Sequence, residues 1–497
     1  METIHLKTID PISQDLLRLA SARGLRLNWE RYERQQPQDG FLRVGLSCPF
    51  GCLQGPCRID PFGRGPDRGL CGLDREGMVA AMLLRITLQG VLEAMQDVAA
   101  PDNLAPISWP AAMKEIVARA LGKLGEESLS LEEISRAAFL LSRPMESPEA
   151  LILQALRLGI LTLGFLEKRR TSKEVQRSLP CKVGYGLLSG NQAVIGICGQ
   201  YPRQALEVLL LEGFRGSSMP VQVISLGDWL PLDDGFLPCA CTSGEAEILL
   251  SSGRVNLVLA GPGTHPSMAE LCRSLDLPFI DYRSPREAGE ILQLARRSHG
   301  VPPKTSFRFD PSPSRQAQVT LDSRMVEEWL GEGSFSGLVL LGGEDTPQQP
   351  LGWIPVEVAS ALRGQGSLIA SWGDAALWML KGGLTSEGNG HPVRILDPEQ
   401  GPLLALKALA VLGKMKDLQG VCFTGLKSCR DLSVALGLAS LGLKVSVAVP
   451  LPLWGSEKVR TLLKEKLTAL GGALTHFDHA PHAQEILDWF LQKEKQA

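Results

Sequence analysis

Apolar residues in the first third of the chain recur at intervals of three and four, the spacing that gathers them on one face of a helix. The pattern predicts helices over Ile12–Ala22, Met78–Met95 and Ala111–Leu124, and a buried helix through the most apolar stretch, Ala150–Leu166. After about Tyr185 the rhythm changes to short apolar runs separated by helical patterns. Ala193–Cys198 (AVIGIC), Val221–Gly227, Asn256–Gly261 and Pro278–Tyr282 read as strands, with helices over Pro202–Glu212 and Glu245–Ser251 and from Pro266. The segment Val301–Thr320 is rich in Pro and Ser and reads as a linker or surface excursion. Strands then resume at Gly337–Gly343, Gly366–Trp372, Gly420–Gly425, Leu443–Leu451 and Ala473–Asp478. Such alternation implies a parallel sheet covered by helices on both faces. The expected fold class is α/β: a helical domain (1–185), a first Rossmann-like parallel α/β domain (186–300), a linker (301–335) and a second Rossmann-like domain (336–497).

The length agrees with that division, because 497 residues exceed what one hydrophobic core usually holds and suggest roughly three domains. The charges nearly cancel, 51 basic against 54 acidic, which disfavours a nucleic-acid or membrane-surface binder. With aromatics at 5%, a stacking platform for single strands is also disfavoured. Ala150–Leu166 carries Gln154 and Arg157 and falls short of the ~20 apolar residues a membrane span needs, so no span is expected. The first residues, METIHLKTIDPISQD, lack the apolar core of a signal peptide, and a cytoplasmic protein is expected.

Eleven cysteines are unevenly placed, four of them between Cys48 and Cys71. The run GLSCPFGCLQGPCRIDPFGRGPDRGLCG spaces them as Cys48-x3-Cys52-x4-Cys57-x13-Cys71. A disulfide framework belongs to small secreted chains, and this one is neither. Four thiolates in a Gly- and Pro-rich loop suit a cubane [4Fe-4S] cluster, the glycines letting the backbone approach the sulfides. Zinc also accepts four thiolates, and four ordinary buried thiols are the plainest alternative. Asp74 is placed to cap the helix that follows.

The string CLQGPCRIDPFGRGP…GLCG strongly resembles the nickel-iron carbon monoxide dehydrogenases of anaerobic microbes, within the hybrid-cluster superfamily. NWERYERQQPQDGF just before it and PLPLWGSEKVRTLLKEKLTALGG near the other end are similar to the same family. The resemblance is to a shortened, divergent member. It implies that Cys48, Cys52, Cys57 and Cys71 ligate a [4Fe-4S] relay cluster, although the family usually separates the first pair by two residues and this chain by three. Two further family cysteines hold a cluster between the subunits of a homodimer. Asp39 and Ser47 stand at those positions here, so any homodimer is expected to lack the intersubunit cluster.

In the family the catalytic nickel-iron-sulfur centre lies between the α/β domains at the C-terminal ends of strands, where open α/β sheets bind ligands. The strand ends here supply Gln200 where a ligand His is expected, then Asp228, Gly263, Glu344 with Asp345, and Asp374; only Cys429, in LKSCRDL, matches a cluster cysteine. Such a centre needs several soft thiolates in one pocket. Of the remaining cysteines Cys198 lies at a strand end, Cys239 and Cys241 beyond a strand, and Cys272 and Cys422 within a helix and a strand. Nickel is therefore not expected, and no catalytic residue is assigned. The family's proton-relay histidines are replaced by GVLEAMQDV, with Glu93 and Asp97, and its catalytic lysine falls near Arg430. His265 could ligate a metal at a strand end, and His476, His479 and His482 resemble a metal-binding spacing. Neither Gly261–Gly263 nor Leu341–Gly343 has the spacing that cradles a pyrophosphate.

The expected function is an iron-sulfur protein that keeps one relay cluster in an anaerobic redox system, as an electron carrier or a scaffold. Its partner would be a ferredoxin-like electron carrier or a redox partner subunit. The alternative is an active oxidoreductase, oxidising CO or reducing hydroxylamine on a remodelled cluster held by Cys198, Asp228, His265, Glu344 and Cys429. A zinc-stabilised binding protein is the third reading.

Overall fold

The computed structural model describes residues 6–35, 40–96, 98, 105–142, 146–171, 177–214, 219–283, 286–301, 313–332, 335–388 and 390–491. Asp39 and Asp97, singled out above, lie outside the described residues. The predicted helices form as Pro11–Ala22, Arg75–Gln96, Ala111–Lys123 and Pro148–Thr171. Asp74 Oδ1 accepts the Gly77 N–H at 2.9 Å and caps the second of them, as its position suggested.

Among the described residues, thirteen strands form one sheet. They are β1 (Ser178–Val183), β2 (Ala193–Cys198), β3 (Val221–Gly227), β4 (Cys239–Thr242), β5 (Leu257–Ala260), β6 (Phe279–Asp281) and β7 (Arg315–Thr320). The rest are β8 (Leu338–Gly342), β9 (Leu368–Ser371), β10 (Arg394–Leu396), β11 (Leu418–Phe423), β12 (Lys444–Val447) and β13 (Ala473–His476). Their order across the sheet is β13-β12-β11-β8-β9-β10-β7-β1-β4-β3-β2-β5-β6. Every pairing is parallel except β1 with β7, which runs antiparallel from Ser178↔Thr320 to Val183↔Arg315.

That antiparallel pair is a seam between two runs of the same topology. From the seam outward the first reads β1-β4-β3-β2-β5-β6 and the second β7-β10-β9-β8-β11-β12, with β13 added. Equivalent glycines end equivalent strands. Gly199 (φ +74°) follows β2 and Gly343 (φ +117°) follows β8. A Cβ on either would lie 2.5–2.6 Å from a carbonyl oxygen, Pro262 O in the first case and Gly425 O in the second. The next residue then bonds across the same gap: Gln200 N donates to Pro262 O at 2.8 Å, and Glu344 N to Gly425 O at 3.2 Å.

The residues read as a linker, 301–335, contain β7 and the helix Ser323–Glu332. Cys239 and Cys241, read as lying beyond a strand, are in β4. The structure also divides the N-terminal helices between two cores. Leu16, Leu17, Leu27 and Trp29 pack with the first α/β half, against Tyr185, Ile248 and Leu271. The helices Arg75–Gln96 and Pro148–Thr171 pack with the second half, sharing a core with Val421, Leu436 and Val445.

Two helices, Arg75–Gln96 and Pro148–Arg169, are long and apolar enough to cross a membrane, yet most of each is buried inside the fold. Both lie against the helix Cys429–Ser440. The crossing is close because glycines meet: a Cβ on Gly437 would stand 2.3 Å from Gly159 O, and one on Gly159 2.7 Å from Gly437 N. Only two residues without side chains fit there. Gly437→Ala is expected to cost about 1–3 kcal/mol by overpacking, read as a lower urea midpoint with an unchanged m-value. An unshifted midpoint would show that the helices part freely at this point.

Candidate functional site

The cysteine loop is pinched at its base by a short antiparallel contact. Cys48 N donates to Cys57 O at 2.9 Å and Ile59 N to Leu46 O at 3.0 Å, with Ser47 bridging Arg58. Asp60 folds the next turn, its two carboxylate oxygens accepting the backbone N–H groups of Phe62 and Arg64 at 2.9 and 2.7 Å. Backbone donors also reach the sulfurs: Gln54 N lies 3.4 Å from Cys52 Sγ and Leu70 N 3.4 Å from Cys57 Sγ. Cys48 and Cys57 are half-buried, whereas Cys52 and Cys71 are exposed. Burial raises the Cys48 thiol above its ordinary range, the Phe50 amide opposes this, and the facing Cys57, Cys71 and Cys52 raise it further.

Among the described residues, no three His, Cys, Asp or Glu side chains are grouped tightly enough to hold a single metal ion. A cubane is wider than one ion, so its four thiolates stand apart at its corners. Four thiols on one loop, with amides turned toward two of the sulfurs, fit such a cationic iron core once deprotonated. Ser47, where the family places an intersubunit ligand, has a buried hydroxyl without a hydrogen-bond partner.

The second centre lies where the two halves meet. Asp374, after β9, accepts the Ser243 N–H at 3.0 Å, the Ser243 hydroxyl at 2.5 Å and the Asp345 N–H at 3.0 Å. Asp345, after β8, accepts the Thr242 hydroxyl at 2.5 Å, Gly244 N–H at 3.3 Å and Trp378 Nε1–H at 2.9 Å. Thr242–Gly244 is the turn after β4, so two carboxylates of the second half grip a backbone turn of the first. Behind it Lys381 Nζ bonds both Glu245 oxygens at 2.7 Å and pairs with Asp10 at 3.1 Å. Ser13 completes this lock, donating to Glu245 at 2.7 Å beside the Tyr185 hydroxyl at 2.6 Å.

Lys427, an exposed residue in the turn after β11, donates its backbone N–H to Asp431 at 2.9 Å. Desolvation alone would lower its ammonium pKa, but Glu344, Asp228, Asp374 and Asp431 outweigh it and hold the ammonium charged above its ordinary range. Burial pushes Asp228 up, against Lys427 and the Gly199 N–H that donates to it at 2.6 Å. Glu344 is pushed well up by burial and by Asp374, to which its carboxyl donates a hydrogen bond. Burial and Asp374 do the same to Asp345. The cavity bounded by Glu344, Asp345, Gln349 and Thr424 measures only about 10 Å³, room for about one water.

Of the five residues considered for a remodelled cluster, the structure brings three toward Lys427: Cys198, Asp228 and Glu344. Burial first, then Asp228 and Cys272, push the Cys198 thiol well up, which disfavours the thiolate a metal needs. Cys429 sits at the margin; burial, then Glu93 and Asp431, raise its thiol. His265 is exposed and turns to its own helix, with Nδ1 3.0 Å from Ser267 Oγ. Glu93 accepts the Arg430 N–H at 3.0 Å, so this carboxylate serves the first turn of Cys429–Ser440. The three C-terminal histidines diverge: His476 is half-buried against Trp454, His479 pairs with Asp478 and Glu485, and His482 lies edge-on to Trp353. Sequence reasoning missed Lys427 and Asp431. Their signal was position, since FTGLKSCRD follows a strand end as the Glu344 and Asp374 segments do.

The arrangement is a four-cysteine loop beside two seam-joined parallel runs of one α/β sheet. Comparison with known proteins finds it similar to carbon monoxide dehydrogenases. Carbon monoxide dehydrogenase of Rhodospirillum rubrum is 51% identical over 81 residues, which are 16% of this chain and 12% of that protein. Carbon monoxide dehydrogenase 1 of Carboxydothermus hydrogenoformans is 47% identical over 83 residues, 17% of this chain and 13% of that protein. The sequence match thus spans a small part of these relatives, and no family model matches. The fold match is nearly complete. Carbon monoxide dehydrogenase IV of C. hydrogenoformans superposes with a TM-score of 0.78 at 18% identity, over 98% of this chain and 99% of that one. A nickel-free carbon monoxide dehydrogenase of Thermococcus sp. AM4, produced without its maturase, gives 0.80 at 17% identity, over 99% of both chains. The resemblance carried by the cysteine loop stands, and the chain has the carbon monoxide dehydrogenase fold.

The carboxyls at the second centre make stability depend on pH. Glu344 and Asp345 have folded-state pKa values above their unfolded values, so their contribution is full below about pH 4 and is lost as pH rises through the raised values. Glu344→Gln keeps a donor toward Asp374 and cannot ionise. It is expected to flatten the fall in thermal midpoint between about pH 5 and pH 8; parallel pH profiles for the two proteins would show that Glu344 ionises freely in the fold.

Proposed function

We propose that this chain is a carbon monoxide dehydrogenase-like iron-sulfur protein that keeps one [4Fe-4S] cluster on Cys48, Cys52, Cys57 and Cys71 and does not interconvert CO and CO2. It works in electron transfer, or as a scaffold beside a redox partner subunit, in the cytoplasm of an anaerobic cell. The reading takes the helical part with the loop as the electron-handling unit and the two α/β halves as the retained frame.

The observation that carries it is the donor set at the strand ends where the halves meet: Asp228, Glu344 and Asp374 follow β3, β8 and β9, and the Cys198 thiol beside Asp228 is pushed well up by burial. A metal centre there would need deprotonated soft ligands and space. The residues instead supply carboxyls and a thiol whose pKa values burial raises. The set does not suit a nickel-iron-sulfur assembly, and Lys427, held charged above its ordinary range, is a poor proton donor near neutrality. At the loop the fit is good. A cubane supplies a one-electron couple when bound; the protein's part is to fix four thiolates, offer amide hydrogens to Cys52 and Cys57, and keep one side open to a partner.

Metal quantitation on anaerobically purified protein tests this. About four irons per chain, no nickel and no CO-dependent dye reduction are expected. Cys57→Ser should bleach the brown absorbance, and Cys429→Ser should leave it nearly unchanged. Stoichiometric nickel with CO-dependent dye reduction would establish the active oxidoreductase instead, and zinc in a colourless protein would establish a structural metal.

A further inference from the structure

A cavity of about 420 Å³ lies beside the seam, and none of Asp228, Glu344 and Asp374 lines it. Both halves build it. The turn after β2 brings Gln200, Tyr201 and Arg203. The segment after β3 brings Trp229 to Asp233 and folds back through Phe236, whose N–H donates to Pro180 O at 2.9 Å. The second half supplies Leu321 after β7 and Asp397 to Gln400 after β10, and Arg169 joins from the end of the helix Pro148–Thr171. The volume is that of a small-molecule site, and strand ends of open α/β sheets are where ligands gather. Much of the wall is apolar: Leu179, Leu206, Leu230, Phe236 and Leu321 are buried, and Trp229 stands edge-on to Phe236 with 5.4 Å between ring centroids.

Every formal charge on the wall is already matched. Arg169 pairs with Glu399, and Arg203 with Asp233 and Glu207. Asp397 Oδ1 accepts the Glu399 and Gln400 N–H groups at 2.8 and 3.0 Å, at the start of the helix Gly401–Leu412. A charged ligand entering here would give up water without gaining a counter-ion. Hydrogen-bonding capacity, by contrast, is left over. The Trp229 indole N–H is buried without an acceptor. The Tyr201 hydroxyl and the Gln200 amide, both in the turn after β2, meet no partner among the described residues. An indole N–H can only donate, so an occupant that satisfies it carries an acceptor.

We infer that this cavity binds an uncharged, ring-bodied small molecule bearing a carbonyl group, its ring against the apolar wall and its oxygen accepting from the unspent donors Trp229 and Tyr201. Binding is reversible and no bond forms or breaks. The site stands apart from the cysteine loop, so it holds whether or not a cluster is bound there.

Three probes with one two-ring body and different heads test this: 2-naphthamide, 2-naphthoate and 2-naphthylmethylamine, each titrated calorimetrically into the full chain. The neutral amide is expected to bind about tenfold or more tighter than the anion or the ammonium. Tyr201→Phe removes one hydroxyl and should weaken the amide about three- to tenfold. Leu232→Trp, at a half-buried position on the wall, should fill the space and abolish saturable binding. Thermal midpoints check that both variants fold, and if Leu232→Trp does not, Tyr201→Phe decides alone. Tighter binding of either charged probe overturns the inference, as does amide binding that Tyr201→Phe leaves unchanged. A chain that takes up no amide at all overturns it equally.

Discussion

The grip of Asp345 and Asp374 on the turn Thr242–Gly244 is the contact on which the two-halved arrangement depends. Carboxyl oxygens taken out of water are costly unless several donors meet them. Here backbone amides, two hydroxyls and an indole N–H do so, and all but the Asp345 amide and the Trp378 indole come from the opposite half. Once the turn is held, Glu245 is fixed under Lys381, and Lys381 under the N-terminal helix through Asp10. Polar chemistry at the junction therefore does structural work in this chain, in a place where the fold's relatives by comparison are named for redox catalysis.

Much of this was legible from residue order. The strands with unbroken apolar runs, β2 and β8 above all, are buried along their whole length and stood out for that reason. Four strands did not: β1, β4, β7 and β10. They are the four central neighbours in the sheet, and each hides its nature differently. Pro180 interrupts β1, whose burial alternates; β7 (RQAQVT) is polar and exposed at its start; β4 and β10 are four and three residues long. Strands at a seam are specified by their partners more than by their own composition. The cysteine loop was readable because its spacing is itself the chemistry. The junction was half readable, since Asp228, Glu344 and Asp374 lie at strand ends, while Ser243, which Asp374 holds, is an ordinary serine in sequence.

The contrast between local identity and global fold has a physical reading. Sequence kinship of about half identity is confined to some eighty residues, while the architecture extends over nearly the whole chain at under 20% identity. Apolar patterning tolerates wide substitution so long as volume and period are kept. Close contacts such as Gly159 with Gly437 and the glycines closing β2 and β8 tolerate little. A frame of this kind can keep its shape while the groups at its strand ends are exchanged.

The seam also governs how the chain could be divided. Each half begins with the strand that lies innermost, so β7 is hydrogen-bonded to β1 on one side and β10 on the other. Severing the polypeptide between the halves would strip a six-residue ladder and leave β7 as a bare sheet margin, the kind of unpaired border that recruits foreign strands. Neither half is built to stand alone, and an attempt to express one in isolation should be expected to yield aggregates.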